Sequence, residues 1–149
     1  METTPVLVTG ATGYIGARLV PLLLQAGRKV RAMARIPAKL AGRPWARHPG
    51  LEIVSADMLD RDSLCRAAEG CAAVYYLVHS MNDPRKDFAD LDRSAAQNMV
   101  EAARKGANAR IIYLGGLGGE QAATSKHLRS RYEVAQILQS GPVPVTYLR

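Results

Sequence analysis

Acidic residues are missing from most of the first third of this 149-residue chain: none occurs between Glu2 and Glu52, an interval holding Arg18, Arg28, Lys29, Arg31, Arg35, Lys39, Arg43 and Arg47. Aromatic residues make up only 5%, and no dense Lys/Arg run accompanies the net charge of +7. The interleaved basic and aromatic pattern of a nucleic-acid binder is therefore absent, and nucleic acid is not expected as a partner. Long apolar runs are lacking too. The stretches 22–24 and 72–78 fall far short of the roughly 20 residues that a membrane span needs. The opening Met1-Glu2-Thr3-Thr4-Pro5 has no basic-then-apolar secretory pattern, so a cytoplasmic location without a membrane partner is the default expectation. Cysteine is limited to Cys65 and Cys71, whose spacing is not CxxC. With no His/Cys cluster beside them, the pattern predicts two buried free thiols and no metal site.

What the chain does have is alternation. Val6-Leu7-Val8 reads as a strand that gives way at Thr9-Gly10 to a helical pattern of Ile15, Leu19, Leu22, Leu23 and Ala26. Gly27 is placed to end that helix in a left-handed conformation, and Pro21 inside it predicts a bend or strong packing against the sheet. Strand patterns follow at 29–34 and 51–55, the latter leading to a short helix at 62–69. The apolar run 72–78 predicts a central strand covered on both faces. A long helix at 88–105 carries Phe88, Leu91, Ala95, Met99 and Ala102 at helical spacing. A strand at 111–114 leads to a helix capped by Ser125, and Val145 to Leu148 makes the sixth strand. Strand and helix in strict succession imply an α/β fold: a doubly wound parallel sheet of about six strands, with right-handed crossovers and helices on both faces.

Thr9-Gly10-Ala11-Thr12-Gly13-Tyr14-Ile15-Gly16 stands at the first strand-to-helix junction, where three glycines have separate mechanical tasks. Gly10 permits a tight turn, Gly13 lets backbone amides approach a pyrophosphate, and Gly16 lets the helix lie close on the strand. The helix N-terminus offers free N–H groups and a positive dipole end to the diphosphate, with Thr12, Tyr14 and Ile15 alongside. The competing reading is a glycine-rich turn that binds nothing. Ribose selection turns on charge: where a carboxylate would accept the 2′-OH of NAD, Arg35 ends the second strand and suits the 2′-phosphate of NADP, with Lys39 or Arg31 adding charge. NADP(H) is thus preferred over NAD(H), against the alternative that Arg35 is only a solvated loop residue. Leu77, Val78 and His79 end the fourth strand and Leu114 and Gly115 the fifth, at the crevice where open α/β sheets bind ligands. His79 is either titratable near neutrality or a packed polar residue.

The GxxGxxG spacing in VLVTGATGYIG resembles the opening of the short-chain dehydrogenase/reductase superfamily in its extended and atypical branches. VRAMAR, VSADMLD, the segment 73–79, the long helix with Asn98, and RIIYLGG are similar to NmrA-like atypical members along essentially the whole chain. The resemblance implies one NAD(P)-binding Rossmann domain over residues 1–149, without the C-terminal substrate-binding part that members normally carry. It also implies an adenine contact for Asp57, with Met58 beside it, although Asp57 reads equally well as a helix cap. Members often pair through the helices corresponding to 88–105 and 127–139, so a homodimer is an expectation of the same kind.

Catalytic members use a Tyr and a Lys four residues later on the helix after the fifth strand. HLRSRYEVAQIL resembles that motif but places His127 at the Tyr position, Ser130 at the Ser and Arg131 at the Lys. None of Tyr14, Tyr75, Tyr76, Tyr113 or Tyr132 has a Lys four residues on, and Gly115-Gly116 stands where a serine pair would polarise a carbonyl. His127 remains a candidate proton donor and Arg131 a ribose or phosphate contact. Two functions follow: an NADP(H)-dependent reductase of an unidentified small molecule, or a noncatalytic redox sensor or assembly module acting on a protein partner.

Overall fold

The structure is a computed structural model that describes residues 4–80, 87–117 and 125–149. Its described elements run β1 (Val6–Val8), α1 (Gly16–Gln25), β2 (Val30–Ala34), α2 (Ala38–Ala41), β3 (Leu51–Ser55), α3 (Arg61–Ala68), β4 (Ala73–Tyr76), α4 (Phe88–Lys105), β5 (Arg110–Leu114), α5 (Lys126–Gln139) and β6 (Val145–Leu148). Six strands form one sheet in the order β3-β2-β1-β4-β5-β6, every neighbouring pair parallel. The order reverses direction between β1 and β4, which opens a crevice beyond the carboxyl ends of the strands. The expected doubly wound α/β architecture is what the chain adopts.

Two apolar layers sandwich the sheet. On one face Val20, Leu24 and Leu40 pack with Val8, Val30 and Ala32; on the other Leu64, Met99, Ile111, Val134 and Leu138 enclose Leu7, Val74, Tyr76 and Tyr113. Parallel strands need helical crossovers on both faces, which is why the β1 and β4 residues Leu7, Val8 and Val74 are fully buried. Met99, Ala95 and Ala102 of α4 bury as their spacing predicts.

Several expectations are adjusted. Strand β4 is shorter than the apolar run 72–78, because the Leu77 amide leaves the ladder and donates to Thr9 Oγ1 at 3.1 Å. Helix α1 runs through Pro21 without interruption. Its buried line is Gly16, Val20 and Leu24, whereas Ile15 and Leu22 are 44% and 61% exposed. The close approach of Gly16 to the preceding turn sets that rotation: a Cβ there would stand 2.2 Å from the Gly10 carbonyl oxygen. Gly27 does adopt a left-handed φ of +75°, as helix termination requires. Both cysteines are free, but only Cys71 is buried, Cys65 being half-buried.

Candidate functional site

The first strand ends in a knot of backbone and hydroxyl. Buried Thr9 donates its Oγ1 hydrogen to the Tyr75 carbonyl at 3.0 Å and accepts from the Leu77 amide, tying β1 to β4 at the point where strand order reverses. Gly10 then turns at φ +65°, which an L side chain resists, and a Cβ there would press on the Leu77 carbonyl and Val78 at 3.2 Å. Gly13 faces open space apart from the Gly10 carbonyl oxygen 3.3 Å from where a Cβ would be. The turn is thus packed hard below and left free above, the form that lets backbone amides reach a diphosphate.

A cavity of about 820 Å³ opens over this turn. Nine residues singled out from the sequence meet on its wall: Gly10, Thr12, Gly13, Arg35, Asp57, Met58, Leu77, Val78 and His79. Sequence reasoning missed Met33, Ala34, Ala56, Leu59, Ser80, Leu91 and Ala95, which complete the lining. Ser80 and Leu59 each follow a residue that was named. Leu91 and Ala95 come from α4, whose approach to the β4 end is tertiary and left no local signal.

Arg35 stands exposed at the end of β2, and among the described residues no carboxylate pairs with it. Arg31 does not join it: its guanidinium donates to Glu52 at 2.7 Å and to the Ala67 and Glu69 carbonyls closing α3. Lys39, on α2, is off the cavity wall. The helix-cap alternative for Asp57 is taken by its neighbour, since Asp60 is the N-cap of α3 and accepts from the Asp62 and Ser63 amides. Asp57 Oδ1 instead accepts from the Leu59 amide at 2.9 Å, fixing the turn. Asn98 on α4 holds the same turn by donating to the Met58 carbonyl at 2.9 Å.

At the other end of the crevice His79 lies against Tyr113, ring centroids 5.8 Å apart, with Nε2 at 3.1 Å from the Leu114 carbonyl oxygen. A carbonyl only accepts, so Nε2 carries the proton. Burial holds the ring below the usual imidazole range, against the opposing hydrogen bond to Leu114, so His79 is neutral at pH 7 rather than poised at neutrality. Its Nδ1 is buried with no hydrogen-bond partner among the described residues. Such an orphan costs about 1–3 kcal/mol until a donor reaches it.

Tyr14 is 72% exposed and stacked under the Arg18 guanidinium, and with Ile15 and Gly16 it lies off the wall. Leu114 reaches the site only through the carbonyl that holds His79. Gly115 serves packing: a Cβ would stand 2.3 Å from the Tyr147 ring. His127, exposed at the start of α5, stacks on Phe88 with centroids 4.5 Å apart. Arg131 passes beside Gly116, and its carbonyl accepts from the Tyr113 hydroxyl. Neither His127 nor Arg131 lines the cavity. Ser130 is buried and donates to Asp92 Oδ2 at 2.9 Å, while Asp92 Oδ1 accepts from the Ser80 amide at 2.8 Å. That network, not visible from spacing, fixes the cavity wall at Ser80.

Comparison with known proteins agrees with this geometry. The model of the family described as NAD(P)H-binding matches residues 10–143. Cinnamoyl-CoA reductase 2 of Arabidopsis thaliana is 32% identical over 117 residues, covering 76% of this chain and 35% of the relative. Citrobacter sp. triphenylmethane reductase complexed with NADP(H) superposes with a TM-score of 0.81 at 22% identity, over 97% of this chain and 48% of its own. The Bordetella bronchiseptica enzyme WbmG in complex with NAD gives 0.76 at 19% identity, over 99% and 53%. At those identities the structural likeness bears on the fold. The chain spans about a third of the curated relative and about half of the two structural ones. With its glycine turn, its reversing parallel sheet and a family match across nearly its whole length, the chain belongs to the NAD(P)H-binding family of the atypical short-chain dehydrogenase/reductase-like superfamily.

Proposed function

We propose that this chain holds NADP(H) in the cavity over the glycine turn and forms the cofactor half of a reductase, with substrate contacts contributed by further chain or by a partner. One observation carries the cofactor choice: Arg35 stands on the cavity wall at the end of β2, and no carboxylate among the described residues pairs with it. In this reading the diphosphate lies on the amides of the glycine turn and the 2′-phosphate on Arg35. The adenine amino group donates to Asp57. The bound dinucleotide supplies hydride chemistry. Of the two solved neighbours described above, one is complexed with NADP(H) and the other with NAD, so the preference rests on Arg35.

Titration of the purified chain should give tighter binding of NADPH than of NADH. Arg35→Glu should weaken NADPH by about 10–100-fold, the loss of a charge-assisted contact, and leave NADH within a few-fold. Equal affinities in the unaltered chain would remove the argument from Arg35.

A second reading, a noncatalytic dinucleotide-responsive module, is favoured by the fate of the helix-α5 motif. His127 is spent on Phe88 and Ser130 on Asp92, and the Tyr/Lys pair is missing. NADPH oxidation by the full natural reading frame against a panel of carbonyls and quinones separates the two. Turnover that falls with His127→Phe supports the reductase, and inactivity across the panel with intact NADPH binding supports the module.

A further inference from the structure

The sheet separates two unlike surfaces. Residues 52–149 hold twelve basic and twelve acidic side chains, so the whole net charge of +7 is carried by the first third of the chain. That third also supplies one face of the molecule: α1, α2 and Trp45 pack on one side of the sheet, and α3, α4 and α5 on the other. Leu40 and Trp45 turn inward, which leaves Lys39, Arg43 and Arg47, following Arg35 at intervals of four residues, exposed on the outside. Arg18 joins them from the first turn of α1, where its guanidinium lies 3.7 Å over the Tyr14 ring and donates to the Tyr14 carbonyl at 3.0 Å. Among the described residues no carboxylate pairs with any of these five. Across the sheet the cations are answered: Arg31 by Glu52, Arg93 by Glu133, and both Arg104 and Lys105 by Glu101.

Of the five, only Arg35 lines the cavity, so contact with a bound dinucleotide leaves the other four unexplained. Unpaired charge of one sign repels itself and adds nothing to the core. What it does supply is a field reaching past contact distance, about 8 Å in physiological salt and about 30 Å at roughly 0.01 M. The cavity opens into that field at Arg35, and a ligand built on phosphates carries the opposite sign. We propose that the α1/α2 side is an electrostatic approach surface for the dinucleotide, on which Arg18, Lys39, Arg43 and Arg47 draw its phosphates toward the glycine turn. This rests on the dinucleotide reading above. The surface sets how fast the ligand arrives, and the cavity wall sets how long it stays. It also adds a kinetic preference to the contact made by Arg35, because the 2′-phosphate gives NADPH nearly two more negative charges than NADH.

The test is stopped-flow binding of NADPH and NADH to the whole chain, followed by the fluorescence of the reduced nicotinamide, at ionic strengths from about 0.01 M to about 0.3 M. In the unaltered chain the association rate constant should fall as salt rises, more steeply for NADPH than for NADH, while dissociation changes little. Arg43→Glu/Arg47→Glu alters two residues off the cavity wall. It should slow NADPH association about fivefold at roughly 0.01 M and less than about twofold at roughly 0.15 M, with dissociation within about twofold throughout. Arg104→Glu/Lys105→Glu makes the same change in net charge in the last turn of α4, on the balanced face, and should leave association within about twofold. Thermal melting checks that each variant is folded. Association of NADPH with the unaltered chain that ignores salt overturns the inference without need of any variant. Equal slowing by the two double variants overturns it too, as does an effect of Arg43→Glu/Arg47→Glu that appears in dissociation instead of association. If the unaltered chain binds neither nucleotide, the dinucleotide reading itself fails, and this inference with it.

Discussion

A single methyl group tests the glycine turn at the residue scale. In Gly16→Ala the new Cβ would lie 2.2 Å from the Gly10 carbonyl oxygen and 2.8 Å from Ala11 Cα, both backbone atoms with little freedom to yield. We expect a loss of about 1–3 kcal/mol in denaturant unfolding, the usual range for overpacking. Dinucleotide affinity should fall with it, because relief of the clash must displace the turn. Gly42→Ala is the control: a Cβ there meets nothing within 4 Å, and both stability and binding should hold. The glycine positions were readable in advance because their demands are local, a turn and a close contact within a few residues. Thr9 was not singled out as a positioning group, since its partners Tyr75 and Leu77 lie 66 and 68 residues away.

At the scale of elements, the pairing of α4 with α5 shapes the far wall of the cavity. Buried Asp92 joins Ser130 of α5 to the backbone of Ser80, and on the surface Arg93 reaches Glu133 at 2.8 Å. The exposed pair contributes little, whereas Asp92→Ala leaves the Ser80 amide and the Ser130 hydroxyl without their acceptor. We expect a cost of about 2–4 kcal/mol in chemical denaturation. Asp92→Asn can still accept from Ser80 and donate toward Ser130, so it should recover more than half of that loss. The sequence pattern located both helices through their apolar spacing and through the Ser125 cap, whose Oγ accepts from the Leu128 amide. It gave no sign that Asp92 would be inside, because an acidic residue on an amphipathic helix ordinarily belongs to its wet face. Helix α1 shows the same limit. Its apolar residues predicted a stripe through Leu22, but contact between Gly16 and Gly10 rotated the buried line onto Val20 and Leu24.

For the whole molecule, stability should form a plateau that falls away on both sides. Burial holds His79 below its usual 6.5, so the unfolded chain takes up that proton more readily. Its contribution is complete above that value and is lost as pH falls through it toward the folded value. Hydrogen bonding to Arg104 and Lys105 likewise holds Glu101 down to about 2 from 4.5, a smaller surface effect that is lost only at still lower pH. Burial raises Tyr76 and Tyr113 above their usual 10.0, so their contribution is present below that pH and declines above it. Calorimetric Tm at fixed ionic strength should therefore be flat between about pH 7 and about pH 9 and decline beyond either end. His79→Gln should flatten the acid shoulder between about pH 7 and about pH 5, and an unchanged shoulder would assign it to other groups. By itself the sequence determined the alternation of elements, the parallel doubly wound sheet and the glycine turn, because periodicity and turn chemistry act over a few residues. Only tertiary structure decided that nine of the named residues share one cavity, that Arg31 is tied to Glu52 and α3 while Arg35 has no carboxylate partner among the described residues, and that burial holds the His79 ring below the usual imidazole range. Those outcomes depend on burial and on partners tens of residues away, and neither is set until the strands lie side by side.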